Sequence, residues 1–175
     1  MAIRATLLTS LQNPRVKDAI RLRDRRDRDT SHTFLIEGYR ELSRAAAARW
    51  PIQALFFCSE LFLGENEGTL IEEISAMGAQ LFECTKAVFE KLSYRDRPDG
   101  LLAVSSQQRR TLDDIERRWQ GRQTSAPPFL IVAEAIEKPG NLGTILRSAD
   151  AVSVDGVIIC DRCTDIYNPN VVRAS

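Results

Sequence analysis

The sequence predicts an α/β fold, a parallel or mostly parallel sheet with helices on both faces, arranged in two units. Three observations carry that expectation. Short apolar runs alternate with stretches of helical periodicity between residues 33 and 106, the pattern of strands joined by crossover helices. A polar stretch at 107–128, closing on Ser, Ala and two prolines, interrupts the alternation as a linker does. The alternation then restarts at 129, and at residue 175 its last helix has barely begun. The units are therefore 1–106 and 129–175, the second incomplete.

Each element has a local reason. "NPRVKDAIRLRDRRDR" reads as a helix with Asn13 as N-cap and Pro14 in the first helical position. "TFLIEG" (33–38) is a short apolar run ended by glycine, a strand by its length. "YRELSRAAAARW" is a helix closed by Pro51. "IQALFFC" (52–58) is a strand, "GTLIEEISAMG" a helix ending at Gly78, and "AQLFEC" (79–84) a strand. "TKAVFEKLS" is a helix and "GLLAVSS" (100–106) the last strand of the first unit. Inside 107–128, Thr111 can cap a short helix with Leu112, Ile115 and Trp119 on one side. "PFLIVAEA" is then a buried strand, "NLGTILRSADAVS" a helix, "GVIICD" (156–161) a strand, and "NPNVVRAS" a helix opening at Asn168-Pro169.

The bulk numbers narrow the function classes. With 43% hydrophobic and 27% charged residues over 175 positions, the chain can bury a core in one domain or two small ones. No apolar run reaches the roughly 18 residues of a membrane-spanning helix. The opening "MAIRATLLTSLQNP" lacks the pattern of a signal peptide, so a cytoplasmic protein is expected. Cys58, Cys84 and Cys160 sit in strand-like runs, where a free thiol behaves as a small hydrophobe. "CDRC" (160–163) has no second cysteine pair, and His32 is the only histidine. A zinc site or a histidine-based catalytic triad is therefore disfavoured, and no metal is expected.

A formal net charge of zero hides an asymmetry. Residues 1–30 carry eight basic side chains against four aspartates, most of them crowded around "RLRDRRDRD". One reading is a solvated helix face laced with i,i+3 and i,i+4 ion pairs. The other is a phosphate-binding surface, for which clustering matters more than net charge.

"KPGNLGTILRSADA" (138–151) runs from a Pro-Gly turn straight into a helix. Leu142, Ile145, Leu146, Ala149 and Val152 form its apolar stripe, and Arg147 lies on roughly the opposite side. Its neighbours one turn away, Gly143, Thr144 and Ala151, are small and leave room for a ligand, a phosphate or a second chain. The turn precedes a helix N-terminus, a place that suits phosphate. Yet "KPGNLGT" is neither GxGxxG nor GxxxxGK[ST], so no nucleotide fingerprint is met. On spacing alone Asn141 is an N-cap and Arg147 a surface residue.

These residues carry a resemblance. "EKPGNLGTILRSADA" followed by "VDGVIICDRCTDIYNPNVVRAS" resembles the start of the catalytic domain of the SpoU/TrmH family, RNA ribose 2′-O-methyltransferases of the knotted SPOUT class. The first family motif matches at Asn141, Gly143 and Arg147; the later "NPxxxRxS" matches at Asn168, Pro169, Arg173 and Ser175. "NPRVK…LRDRR" and "FLIEGYREL", with "RPDGLLAV" at 97–104, resemble the family's L30e-like substrate-binding domain. The fold so implied is an L30e-like α/β/α domain over 1–106, then an incomplete SPOUT (trefoil-knot class) domain over 129–175.

The resemblance also implies chemistry: transfer of a methyl group from S-adenosylmethionine to a ribose 2′-hydroxyl, on ribosomal RNA, by a homodimer. It gives Arg147 a catalytic role and Asn141 an assisting one. A guanidinium stays protonated below a pKa of about 12. Arg147 is thus better suited to grip the target phosphate and steady developing oxyanion charge than to act as base. For RNA contacts it points to Arg15, Lys17, Arg21, Arg25, Arg26, Arg40, Arg97 and Arg173. Arg40 could instead pair with Glu37 or Glu41, and Arg97 could be loop solvation. The family's cofactor site is built mainly from a later glycine-glutamate loop and a Ser-Leu-Asn segment, neither found before Ser175. The expectation is a reading frame that continues with those motifs; a non-catalytic L30e-like RNA-binding module is the alternative.

Overall fold

Strand β5 (Leu101–Ser106) organises the first half of the protein. It lies between β3 (Ile52–Phe57) and β2 (Thr33–Glu37) and runs antiparallel to both. On the far side of β3 lie β4 (Gln80–Cys84) and then β1 (Thr6–Leu8), each parallel to its neighbour. The sheet order is thus β1-β4-β3-β5-β2. The mostly parallel sheet expected from the alternation is corrected to a mixed one. The α-helical crossover α3 (Tyr39–Ala47) does lead from β2 to a co-directional β3, but β5 inserts between them. Gly100, at φ +81°, makes the turn into β5, a conformation that glycine adopts without steric cost.

This computed structural model describes residues 4–121, 126–161 and 163–175. Residues 122–125 of the expected connection, and Arg162 between Cys160 and Cys163, lie outside the described residues. The chain divides into two compact units, Met1–Gln107 and Gln108–Ser175.

Helices cover both faces of the five-stranded sheet. On one face, α1 (Pro14–Arg21) and α5 (Lys86–Leu92) bury Val16, Ala19, Val88, Phe89 and Leu92 against Leu35, Phe56, Phe82 and Leu102. On the other, α3 and α4 (Glu67–Ala76) bury Leu42, Leu70, Ile71 and Ile74. Each such side chain contributes about 1.5–3 kcal/mol when taken wholly out of water.

The single N-terminal helix expected over "NPRVKDAIRLRDRRDR" is corrected to two. Asn13 caps α1 by accepting from the Arg15 N–H, as expected. The helix then stops at Arg21, and Asp24 turns extended before α2 (Arg25–Ser31) begins. The break is held by Arg28, 1% exposed, whose Nη1 donates to the carbonyls of Leu22 at 2.8 Å and Arg23 at 2.7 Å. Strand β1 was not expected; three residues are too few for a period-2 pattern to show.

In the second unit, β6 (Leu130–Glu134) and β7 (Gly156–Cys160) pair in parallel through α7 (Pro139–Ala151). Ala133, Leu142 and Val171 form the core, the last from α8 (Pro169–Ala174). Thr111 caps α6 (Leu112–Gln120) through a reciprocal box with Asp114. Ile115 of that helix lies 3.1 Å from where a Cβ on Gly156 would sit, so α6 packs on β7. The segment read as a polar connection therefore supplies a helix to this unit. Of β6, expected as a buried strand, only Ala133 is buried and Val132 is 63% exposed. Among the described residues no helix is long and apolar enough to cross a membrane.

Candidate functional site

Helix α7 presents the candidate pair of the second unit. Pro139 starts it and Lys138 occupies the N-cap position, so Asn141 lies inside the first turn and not at the cap. This corrects the N-cap reading: proline at the first helical position moved the N-cap three residues upstream, from Asn141 to Lys138. Freed from capping, Asn141 is exposed, as is Arg147. Leu142 and Ala149 are buried and Leu146 half-buried, as the stripe requires, but Val152 is 58% exposed because the helix has ended.

The small residues near Arg147 divide in role. Gly143, expected to leave room for a ligand, is buried where α8 crosses. A Cβ there would collide with that of Ala174 and lie 3.0 Å from the Val171 carbonyl. Its smallness therefore serves helix contact. Thr144 and Ala151 do remain exposed on the helix. Arg147 forms no ion pair or hydrogen bond among the described residues. Arg173 stands exposed on α8, one residue before the Ala174 contact with α7, and Asn168 caps that helix through the Asn170 N–H.

In the first unit the basic residues of α1 and α2 separate into two groups. Arg28 and Arg23 face inward. Nη2 of Arg23 donates to the carbonyls of Lys91, Leu92 and Ser93, closing the end of α5. Arg15, Lys17, Arg21, Arg25 and Arg26 all face solvent. Arg15 lies 5.9 Å from the Phe82 ring centroid, a cation–π distance. Arg21 pairs with Asp18 at 3.6 Å and Arg25 with Asp29 at 3.5 Å. Such exposed pairs contribute about 0–1 kcal/mol and yield readily to a phosphate. Lys17 and Arg26 have no such pair among the described residues.

Arg40 is exposed in the first turn of α3 and Arg97 in the loop before β5. Neither alternative partner of Arg40 is free. Glu37 accepts from the Ser93 hydroxyl and the Tyr94 N–H, and Glu41 is held by Arg95 at 3.0 Å. Arg95 also lies 3.7 Å from Asp99 and donates to the Glu37 carbonyl. Sequence reading missed this cluster; its signal was the charge density of "EGYRE" and "RDRPD", which spacing cannot pair.

The four cysteines are free thiols. Burial pushes the Cys84 thiol up to about 12 and raises Cys58 and Cys160 above the usual range. None of these three is primed as a nucleophile. Cys163 accepts from the Ile136 N–H at 3.2 Å. Among the described residues no three metal-binding side chains gather.

Comparison with known proteins gives this arrangement a setting. Residues 13–103 match the MRM3-like substrate binding domain, and residues 128–175 match the SpoU rRNA Methylase family. The chain is 31% identical to an uncharacterized tRNA/rRNA methyltransferase of Synechocystis, over 96% of this chain and 57% of that protein. It is 24% identical to the 23S rRNA (guanosine(2553)-2′-O)-methyltransferase RlmP of Bacillus subtilis, over 96% of this chain and 60% of that one. The crystal structure of an AdoMet-bound rRNA methyltransferase from Sinorhizobium meliloti superposes with a TM-score of 0.81 at 27% identity, covering 97% of this chain and 60% of the other. The chain thus spans less than two thirds of the length of these relatives. With a substrate-binding model over more than half its length and the methylase model over its last stretch, residues 128–175, the chain belongs to the SpoU/TrmH family of RNA methyltransferases.

Proposed function

We propose that this chain forms the RNA-binding part and the first catalytic segment of an S-adenosylmethionine-dependent ribosomal RNA ribose 2′-O-methyltransferase, working as a cytoplasmic homodimer. The observation that carries the reading is Arg147: a solvent-facing guanidinium with no partner among the described residues, on a helix inside the segment that matches the SpoU rRNA Methylase family.

A permanently charged guanidinium can hold a phosphate by two parallel hydrogen bonds, fixing the adjoining ribose and stabilising charge as the 2′-oxygen loses its proton. Asn141, six residues before Arg147 in the first turn of the same helix, offers an amide that can both donate and accept. Arg173 adds a cation from α8. Arg15, Lys17, Arg21, Arg25, Arg26, Arg40 and Arg97 supply phosphate contacts on the substrate-binding unit, which position the RNA without reading its sequence.

The methyl donor is S-adenosylmethionine, the molecule bound to the Sinorhizobium enzyme in its crystal structure. Among the described residues of 108–175, no buried polar side-chain atom is left unpaired to await such a ligand. The described residues of 108–175 do not outline an adenosylmethionine pocket.

Two measurements test the reading. The chain is expected to bind ribosomal RNA with an affinity that falls steeply with salt, and reversing Arg25 and Arg26 to glutamate weakens it. With the downstream family motifs in place, methyl transfer to ribose is expected, and Arg147→Ala abolishes it without loss of RNA binding by the first unit. Transfer at the wild-type rate in Arg147→Ala removes that residue from the mechanism. RNA binding without transfer by the extended protein supports the non-catalytic binding module instead.

A further inference from the structure

Beside the cationic helices, the first unit holds a groove of about 430 Å³. That volume lies within the roughly 300–1,000 Å³ of small-ligand sites. Its floor is the sheet itself. Gln80 of β4, Ala54 of β3 and Val104 of β5 lie side by side there, since Ala54 pairs with both of the others. Phe56 and Phe82, their rings stacked with centroids 5.0 Å apart, continue the floor toward the core. One wall is α1 with its C-cap, which lines the groove with Arg15, Asp18, Ala19 and Leu22 at the i, i+3, i+4 and i+7 positions of one helix face. The groove follows from the break between the first two helices. α1 ends at Arg21 and the chain turns at Asp24, so helical cover stops short of Ala54 and Val104, which are half-buried where Phe56 and Leu102 are buried.

The polar groups of the groove lie at its open rim and are reachable from solvent. Gln80 is exposed and makes no side-chain hydrogen bond among the described residues. Gln53, also exposed, spends its amide N–H on the Ser106 hydroxyl at 2.8 Å and keeps its carbonyl oxygen spare. Arg15 is exposed, its guanidinium 5.9 Å from the Phe82 ring centroid and without an ion pair among the described residues. Asp18 is tied to Arg21 at 3.6 Å.

This set of groups selects its occupant. A bare phosphate gains nothing from a floor of aromatic and aliphatic carbon. An extended peptide cannot add to the sheet here, because β4, β3 and β5 are each paired on both sides. A flat ring with polar edges meets every requirement: carbon beneath its face, a guanidinium for its open face, and two amides that donate and accept along its edge.

We propose that this groove seats one unpaired base of the RNA, laid on Ala54, Val104 and Phe82, with Gln53 and Gln80 along its edge and Arg15 over it. The inference rests on the RNA-binding reading above and adds to it the place of a base. RNA-binding proteins commonly take splayed, unpaired bases onto aromatic side chains and guanidinium planes. The exposed cations Lys17 and Arg21 on α1 stand beside the groove for the flanking phosphates. Since an amide can turn to present either its donor or its acceptor, the groove holds a base without choosing which.

The test is binding of this chain to a short oligouridylate and to an abasic oligomer of equal length, which keeps the ribose-phosphate backbone, by fluorescence anisotropy at one salt concentration. The oligouridylate is expected to bind roughly tenfold to a hundredfold tighter. Ala54→Phe fills the groove without changing charge and should bring that ratio close to one. If its thermal midpoint falls, Gln80→Trp, at an exposed position, carries the same expectation. A 4-thiouridine oligomer should cross-link on irradiation to the peptides that carry Gln53 or Gln80. Equal binding of the two RNAs by the wild-type chain, still weakened by reversing Arg25 and Arg26, overturns the base site alone. A uridine preference that survives both variants, or cross-links found only elsewhere, also overturns it. So does a wild-type dimer that either variant dissociates, which would make the groove a contact between two copies. Failure to bind either RNA overturns the RNA-binding reading and the base site with it.

Discussion

Gly143 and Arg147 stand one turn apart on α7 and fail in opposite ways when changed. Replacing Gly143 with valine drives a branched side chain into Ala174 and the Val171 carbonyl. Overpacking of that kind costs about 1–3 kcal/mol, and the thermal midpoint of the 108–175 unit should fall accordingly. Arg147→Ala removes an exposed side chain with no partner among the described residues. Its effect on stability should stay within about 0.5 kcal/mol, measured by denaturant titration. A large stability loss in Arg147→Ala would mean that the guanidinium is structural. At this scale the sequence was half legible. Hydrophobic periodicity placed Arg147 on the outer face correctly, because facing follows from the 3.6-residue repeat. The same periodicity could not tell that Gly143 faces a helix twenty-odd residues downstream, because glycine's small size suits ligand access and helix contact equally.

Among the elements, α6 shows a local code that carried through. Thr111 accepts from the Asp114 N–H, and Asp114 in turn accepts from the Thr111 N–H at 2.7 Å and its hydroxyl at 2.9 Å. Those donors hold the Asp114 carboxyl below its ordinary value of 3.8. A lowered folded-state value means that its stabilising contribution is complete above about pH 4 and fades as acid protonates it. Helix content near 222 nm should therefore decline on acidification below that point, and Thr111→Ala should reduce both the helix signal at neutral pH and the size of the acid step. An unchanged acid step in Thr111→Ala would exclude the capping box as its origin. The split between α1 and α2, by contrast, was hidden. It depends on Arg28 folding back onto two carbonyls, and a continuous run of charged residues reads as one helix when the turn is made by a side chain from within the run.

For the whole molecule, the two units carry different thiols. Cys58 and Cys84 lie in the core of Met1–Gln107 at 1% and 4% exposure, and Cys160 and Cys163 lie half-buried in the other unit. Maleimide labelling followed by mass spectrometry should modify the second pair first in native buffer. Cys58 and Cys84 should react only as the first unit unfolds in denaturant, since burial withholds both access and thiolate. Early labelling of Cys84 would contradict the packing of β4. Fold class was readable because strand and helix periods differ and the chain alternates them. Strand direction was not: the apolar run at 101–106 looks the same whichever way it enters the sheet. The Arg95 cluster was equally silent, since its members come from two distant stretches that only the folded chain joins.

The place of β5 sets a timetable for synthesis. Among the described residues β2 pairs with β5 alone, so its backbone N–H and C=O groups wait for a segment made some sixty residues later. Until Leu101–Ser106 leaves the ribosome, the nascent chain holds β2 as an unzipped border, open to wrong partners. Arrest before that point should leave an aggregation-prone intermediate, whereas a few further residues beyond the exit tunnel let the five strands close in one step.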